Sequence, residues 1–179
     1  MIFEEKCISS QMVYEGKILN LRRDMVTTVG GSSSREIVEH NGAVGIVPIT
    51  DEGKIVMVEQ FRYPIGGSVL EIPAGKIDKG ETDSLETAKR ELREETGYTA
   101  GKMVYLGQIN PSVAYTEEVI HLYLATQLKA GETEFDDDEA LDIMEYDFEE
   151  VYQMAGHGEL IDSKTVAAVF MARVQMDIK

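Results

Sequence analysis

The chain has 179 residues, 43% of them hydrophobic and 28% charged, which is enough for one globular domain with a buried core. Its formal net charge of −16 argues against nucleic acid or an anionic membrane as a partner, because both need basic surfaces. A single cysteine, Cys7, rules out an intramolecular disulfide, and neither a signal peptide nor a membrane-spanning apolar run is apparent. We therefore expect a soluble cytoplasmic protein that acts on a small molecule.

Hydrophobic patterning predicts strands, one helix, more strands and then two helices along the chain. Residues 30–34, Gly-Gly-Ser-Ser-Ser, are expected to form a turn. The predicted strands lie near 14–16, 24–29, 35–39, 43–50, 54–61, 69–72, 103–109, 119–128 and 142–146, and the predicted helices cover about 84–96, 148–155 and 162–176. This order indicates an α/β (α+β) sandwich with helices on a mixed sheet.

The helix over 84–96 carries an unusual stripe of carboxylates. Glu91, Glu94 and Glu95 stand at i, i+3 and i+4, so they share one face. Like charges so placed repel one another, and a divalent cation relieves that repulsion. Oxygen ligands suit Mg²⁺ or Mn²⁺, which usually complete their shells with water and substrate phosphates. The alternative is a solvated face whose glutamates pair with neighbouring lysines and arginines.

Residues 75–98, GKIDKGETDSLETAKRELREETGY, resemble the Nudix box, the signature of hydrolases that cleave nucleoside diphosphates linked to another group. The matching positions are Gly75, Glu81, Arg90, Glu91, Leu92, Glu94, Glu95 and Gly97. One departure is an additional residue between Glu81 and Arg90, in the loop that enters the helix. The departure concerns the placement of Glu81 and leaves the helical half of the motif intact.

The resemblance implies a Nudix-type α/β/α sandwich over residues 41–179, preceded by an antiparallel β segment over 1–40 that contributes to a homodimer. It also implies metal ligation by the Glu91 and Glu95 carboxylates and the backbone carbonyl of Ala74. Arg90 corresponds to the arginine that orients these glutamates, and Glu94 lies beside them with an expected catalytic role.

The residues before the box resemble those of ADP-ribose pyrophosphatases, in the runs VEQFRYP (58–64) and LEIPAG (70–75). This similarity implies that Arg62 and Glu71 contact substrate, and a planar guanidinium is well suited to phosphate. The alternative for Arg62 is an ion pair with Glu59 or Glu71. The segment REIVEH (35–40) resembles the N-terminal strands of the same group, which implies a substrate contact for Arg35.

An acidic cluster, EFDDDE (134–139), precedes the last predicted strand. By its similarity to the corresponding loop of ADP-ribose pyrophosphatases, Glu139 is expected to be a further metal ligand with a catalytic role, and Asp137 the general base. The alternative is a solvated acidic loop.

The resemblance as a whole implies Mg²⁺-dependent hydrolysis of ADP-ribose to AMP and ribose 5-phosphate, with Mn²⁺ as a substitute metal. Val113 departs from the pattern, because ADP-ribose pyrophosphatases usually have proline at the corresponding position. This departure leaves open a pyrophosphatase for another nucleoside diphosphate sugar, such as GDP-mannose. A separate alternative, from a different class of function, is a Nudix module that binds ADP-ribose without cleaving it.

Overall fold

The computed structural model describes residues 2–134 and 140–177, which contain ten strands and three helices. The strands are β1 (Cys7–Glu15), β2 (Asn20–Thr28), β3 (Gly31–Glu39), β4 (Ala43–Pro48), β5 (Lys54–Arg62), β6 (Gly67–Glu71), β7 (Ala74–Lys76), β8 (Thr99–Ile109), β9 (Ile120–Lys129) and β10 (Leu141–Asp147). The helices are α1 (Ser84–Thr96), α2 (Phe148–His157) and α3 (Ser163–Asp177). None of the helices in the described ranges has the length and apolar composition needed to cross a bilayer.

The chain divides into two compact units. The first contains Met1–Asn41 and Asn110–Val119, and the second contains Gly42–Ile109 and Ile120–Lys179. In the first unit, β1, β2 and β3 form an antiparallel sheet. The 110–119 segment joins this unit through hydrogen bonds in which Val38 donates to the Tyr115 carbonyl and accepts from the Glu117 amide.

The second unit is built on a mixed sheet in the order β7-β4-β9-β8, in which β4 and β9 run parallel and the other pairs run antiparallel. Alternating residues of β4 and β9 face opposite sides, so Val44 and Ile46 pack with α1 while Val47 and Leu122 belong to the larger core with α2 and α3. A second sheet, β10-β5-β6, is antiparallel. The predicted α/β sandwich with a mixed sheet is confirmed.

Several details differ from the sequence-based expectation. Strand β1 covers Cys7–Glu15, where only 14–16 was expected, and β2 begins at Asn20 and not near residue 24. The predicted turn at 30–34 is wrong over Gly31–Ser34, because these residues belong to β3 and pair with β2. The three-residue strand β7 was not predicted, since a strand so short has no periodicity to detect. Strand β8 begins at Thr99, earlier than expected, because cross-strand pairing with β9 extends it through polar and glycine residues.

Candidate active site

Helix α1 begins and ends at the residues that the sequence predicts. The Asp83 side chain accepts a hydrogen bond from the Leu85 amide at 3.0 Å and caps the N-terminus. Gly97 ends the helix in the left-handed conformation, with φ of 72°, and its amide donates to the Arg93 carbonyl. Burial of Leu92 contributes about 1.5–3 kcal/mol. That gain outweighs the few tenths of a kcal/mol that each pair of neighbouring like charges costs.

Glu91 packs against the backbone of Gly75. A Cβ atom added to Gly75 would lie 1.9 Å from the Glu91 carboxyl carbon and 2.2 Å from each carboxyl oxygen. Any side chain at position 75 would therefore displace the Glu91 carboxylate. The conformation of Gly75 is ordinary, so the requirement for glycine here is one of space and not of backbone strain.

Glu95 contacts the neighbouring residue of the same segment. One of its carboxylate oxygens accepts a hydrogen bond from the Ala74 amide at 2.9 Å. Both glutamates are buried although they are acidic. Strand β7 holds Ala74 and Gly75 in place by pairing with β4, so the backbone segment and the two carboxylates form one surface.

Arg90 joins the acidic groups of α1 to the loop before it. Its Nη1 atom lies 2.8 Å from a Glu91 oxygen and 2.9 Å from a Glu94 oxygen, and its Nη2 atom lies 3.7 Å from Glu81. Burial lowers the pKa of Arg90, but the charge of Glu91 and the hydrogen bond to Glu94 outweigh it and raise the pKa overall. The guanidinium therefore remains charged and fixes the positions of both glutamates.

The additional residue in the loop does not move Glu81 away from α1. A Glu81 oxygen accepts hydrogen bonds from the Asp78 amide at 3.1 Å and from the Thr87 hydroxyl at 3.0 Å. These hydrogen bonds, first the one from Asp78, hold the pKa of Glu81 below its ordinary value. The carboxylate stays ionised beside Arg90, so the inserted residue is accommodated in the loop.

A second charged cluster surrounds Glu71, which is only 2% exposed. Arg62 donates to both oxygens of this carboxylate, from Nε at 2.6 Å and from Nη2 at 2.8 Å, and Lys164 donates to one of them. Burial raises the pKa of Glu71, but the Arg62 hydrogen bond and the Lys164 charge outweigh it, so the pKa is lowered. The pairing of Arg62 with Glu71 is the alternative that the sequence left open.

This cluster lines a cavity of about 410 Å³. The wall is partly apolar and partly charged, a combination typical of small-molecule sites. The lining residues are Arg62, Pro64, Ile65, Val69, Glu71, Ile161, Asp162, Ser163 and Lys164. The hydrogen bond to Glu71 outweighs burial and raises the pKa of Arg62, and the charge of Glu95 on α1 makes a smaller contribution in the same direction.

A family model of the NUDIX domain matches residues 39–168, which is more than half of the chain. The chain belongs to the Nudix family. An ADP-ribose pyrophosphatase of Bacillus subtilis (strain 168) is 42% identical over 93% of this chain and 91% of its own length. A methanol dehydrogenase activator of Bacillus methanolicus is 44% identical over 99% of this chain and 97% of its own length.

More distant relatives include a GDP-mannose pyrophosphatase of Klebsiella pneumoniae, which is 31% identical over 74% of this chain and 71% of its own length. The crystal structure of an ADP compounds hydrolase superposes with a TM-score of 0.85, covering 98% of this chain and 96% of that one. The identity in this superposition is 21%, so it shows the fold alone. The predicted Nudix fold and the resemblance to ADP-ribose pyrophosphatases are confirmed.

The Nudix residues of α1 provide a donor set that suits a hard divalent cation. The Glu91 and Glu95 carboxylates lie against the Ala74–Gly75 backbone, and carboxylate and carbonyl oxygens are the ligands that such a cation prefers. Within residues 2–134 and 140–177, no group of three or more histidine, cysteine or acidic side chains is arranged to hold a metal. Glu94 instead contacts Arg90 and Arg93.

The remaining predicted site residues lie elsewhere. Arg35 belongs to the N-terminal unit, where its Nε donates to Glu5 at 2.9 Å. Asp137 and Glu139 lie outside the described residues, so their expected roles stay predictions.

Sequence reasoning missed Lys164 and its neighbours Asp162 and Thr165. Lys164 is far from Glu71 along the chain, and the residues around it match none of the motifs considered. The helix predicted over 162–176 already places Lys164 in its first turn. Nothing in the sequence places Lys164 beside Glu71.

Proposed function

We propose that this protein is a Mg²⁺-dependent diphosphatase that hydrolyses ADP-ribose to AMP and ribose 5-phosphate. The observation that carries the proposal is the contact of Glu91 and Glu95 with the Ala74–Gly75 backbone, and the charged cavity that contains Arg62 supports it. Two ADP-ribose pyrophosphatases, from Bacillus subtilis and Mycobacterium tuberculosis, support it with 42% and 40% identity over 93% and 90% of this chain.

The Glu91 and Glu95 carboxylates and the Ala74 carbonyl would hold Mg²⁺, with Mn²⁺ as a substitute, and Glu139 is proposed as a further ligand. The bound metal supplies Lewis-acid polarisation of the diphosphate and activation of water. Arg90 keeps the two glutamates in position through its contacts with Glu91 and Glu94.

Substrate binding is assigned to the charged cavity. Glu71 engages Nε and Nη2 of Arg62, and Nη1, which lies outside this pair of hydrogen bonds, is proposed to bind a phosphate oxygen. Arg35 is proposed as a further substrate contact, and Asp137 as the general base with Glu94 as the alternative. Glu94 lies 2.9 Å from Arg90 and 3.4 Å from Arg93.

The experiment that tests the activity compares two glutamine variants of α1. Glu91→Gln is expected to reduce Mg²⁺-dependent hydrolysis by at least about a hundredfold, because an amide replaces a charged metal ligand. Glu86→Gln is the matched control, since Glu86 is an exposed residue of the same helix that pairs with Lys89. Equal loss in both variants, or no loss in Glu91→Gln, would contradict the proposed role.

A substrate panel separates ADP-ribose from the alternatives. ADP-ribose, GDP-mannose, UDP-glucose, NADH and diadenosine polyphosphates are incubated with Mg²⁺ and with EDTA, and phosphate is measured after phosphatase treatment. We expect the fastest EDTA-sensitive cleavage for ADP-ribose. Preference for GDP-mannose would support the other sugar-nucleotide activity. Binding of ADP-ribose without turnover would support a non-catalytic Nudix module.

A second candidate function is activation of a dehydrogenase, which is favoured by the end-to-end match to the methanol dehydrogenase activator. Its test is the rate of a purified methanol dehydrogenase with and without this protein. Stimulation by the wild-type protein and not by Glu91→Gln would connect activation to the same site. Hydrolysis of a nucleotide substrate and activation of a dehydrogenase are separate properties, so the result of one assay does not decide the other.

We also propose that residues 1–40 contribute to a homodimer and that the protein acts in the cytoplasm. Strand β1 supports the first proposal, because all nine of its residues are exposed in the single chain. The second is tested by fractionating cells and locating the protein with an antibody.

A further inference from the structure

The charged cavity is backed by the first turn of α3. Asp162, which precedes the helix, accepts hydrogen bonds from the Thr165 amide at 3.0 Å, the Thr165 hydroxyl at 2.5 Å and the Lys164 ammonium at 3.0 Å. We call Asp162, Lys164 and Thr165 the α3 clamp. Within it, the aspartate fixes the direction of both other side chains.

The α3 clamp holds Glu71, the last residue of β6, and Ile72, which follows it. Lys164 donates to the Glu71 carboxylate, and the Thr165 hydroxyl accepts the Ile72 amide hydrogen bond at 2.9 Å. Thr165 is completely buried, so this hydrogen bond is shielded from water. The chain continues from Ile72 through Pro73 to Ala74, so the clamp is bonded to the strand that leads into the proposed metal surface.

The charges of the cluster balance. Arg62 and Lys164 contribute two positive charges, and Glu71 and Asp162 contribute two negative charges. The Arg62 side chain is 41% exposed, whereas that of Lys164 is 12% exposed. A substrate phosphate therefore has access to Arg62, while Lys164 is directed towards the two carboxylates.

Lys164 and Arg62 both donate hydrogen bonds to the Glu71 carboxylate and together neutralise its charge. One Glu71 oxygen accepts from both cations, while the other accepts only from Arg62 among the contacts found in the described residues. Removing the Lys164 charge would leave the cluster with a net charge of −1 and Arg62 as the main partner of a buried carboxylate. An anionic substrate would then meet a less positive electrostatic potential at Arg62.

We propose that Lys164 is a positioning residue for substrate binding. Its positive charge offsets the negative charge of the buried Glu71 carboxylate, so that Arg62 can bind the diphosphate. This inference rests on the proposed function. Lys164 acts through Arg62 and Glu71 and does not itself contact the reacting atoms. The predicted consequence is a change in substrate affinity, with little change in the rate of the bound complex.

The test uses two neutral variants, Lys164→Met and Lys164→Gln, with Lys164→Arg as the conservative variant. Lys54→Met is the matched control, because Lys54 is an exposed lysine that lies 3.7 Å from Glu145, outside the cavity. The KM and kcat for ADP-ribose are measured at saturating Mg²⁺, and thermal unfolding shows whether each variant is folded. The second neutral variant keeps the test decisive if the first does not fold.

We expect both neutral variants to raise KM on the order of tenfold, which corresponds to about 1.4 kcal/mol of binding. The kcat is expected to change less than about threefold, and Lys164→Arg is expected to restore most of the affinity. A purely structural role would lower the active fraction, and so the apparent kcat, without changing KM.

A double-mutant cycle tests the route through Arg62. In an Arg62→Lys background, Lys164→Met should have a much smaller effect on KM than in the wild type, because both variants affect the same interaction. Equal effects in the two backgrounds, or an unchanged KM in the neutral variants, would overturn the inference while leaving the proposed function intact. A wild-type protein that neither binds nor cleaves ADP-ribose would contradict the proposed function and this inference together.

Discussion

At the scale of single residues, the proposed metal surface depends on the absence of a side chain at Gly75. The Glu91 carboxylate occupies the space that a Cβ atom would need. The Gly75 backbone and the Glu91 carboxylate therefore fit together in shape, and this fit does not depend on backbone strain. The hydrogen bond that the Ala74 amide donates to Glu95 fixes the position of that carboxylate as well.

Gly75→Ala is expected to displace Glu91 and to reduce kcat/KM by about a hundredfold, since small misplacements of catalytic groups cost this much. The crowding should also lower stability by about 1–3 kcal/mol. Steady-state kinetics and thermal unfolding measure the two effects.

Gly156→Ala is the matched control for this change, because no atom lies within 4 Å of its added Cβ and the residue is inside α2. It should leave activity unchanged and raise stability by about 0.5–1 kcal/mol. Full activity in Gly75→Ala would show that Glu91 can move without consequence and would contradict the assigned role.

At the scale of elements, features that depend on residues close together in the sequence were predicted, and features that depend on distant residues were not. The bounds of helix α1 were predicted, because the residues that end it, Asp83 and Gly97, act through neighbours in the chain. Strand β7 was not predicted, because its three residues depend on pairing with β4. Lys164 was missed for the same reason: its contact with Glu71 joins residues that are distant in the sequence.

The cap of α1 provides a test at this scale. Asp83→Ala removes the acceptor of the Leu85 amide hydrogen bond and is expected to cost about 1 kcal/mol. For a chain of this size the unfolding temperature should fall by about 2–4 °C. Asp83→Asn keeps a side-chain acceptor, so it should be close to the wild type in a thermal melt. An asparagine variant as unstable as the alanine variant would show that capping does not explain the loss.

At the scale of the whole molecule, two properties of the chain act in opposite directions on self-association. Strand β1 has only one charged residue, Glu15, and exposes Ile8, Met12, Val13 and Tyr14. Exposed apolar side chains on an edge strand favour association with another chain. The net charge of −16 opposes it, because two such chains repel each other.

If the proposed dimer forms through β1, its stability should depend on salt. Sedimentation equilibrium at about 0.15 M salt, where the screening length is about 8 Å, should give twice the chain mass of 19.9 kDa. At about 0.01 M salt the screening length is about 30 Å, so repulsion should shift the equilibrium towards the single chain.

Val13→Glu should dissociate the dimer at both salt concentrations. Val174→Glu, an equally charged change at an exposed valine of α3, should not. A dimer that survives Val13→Glu, or a single chain at every salt concentration, would rule out association through β1.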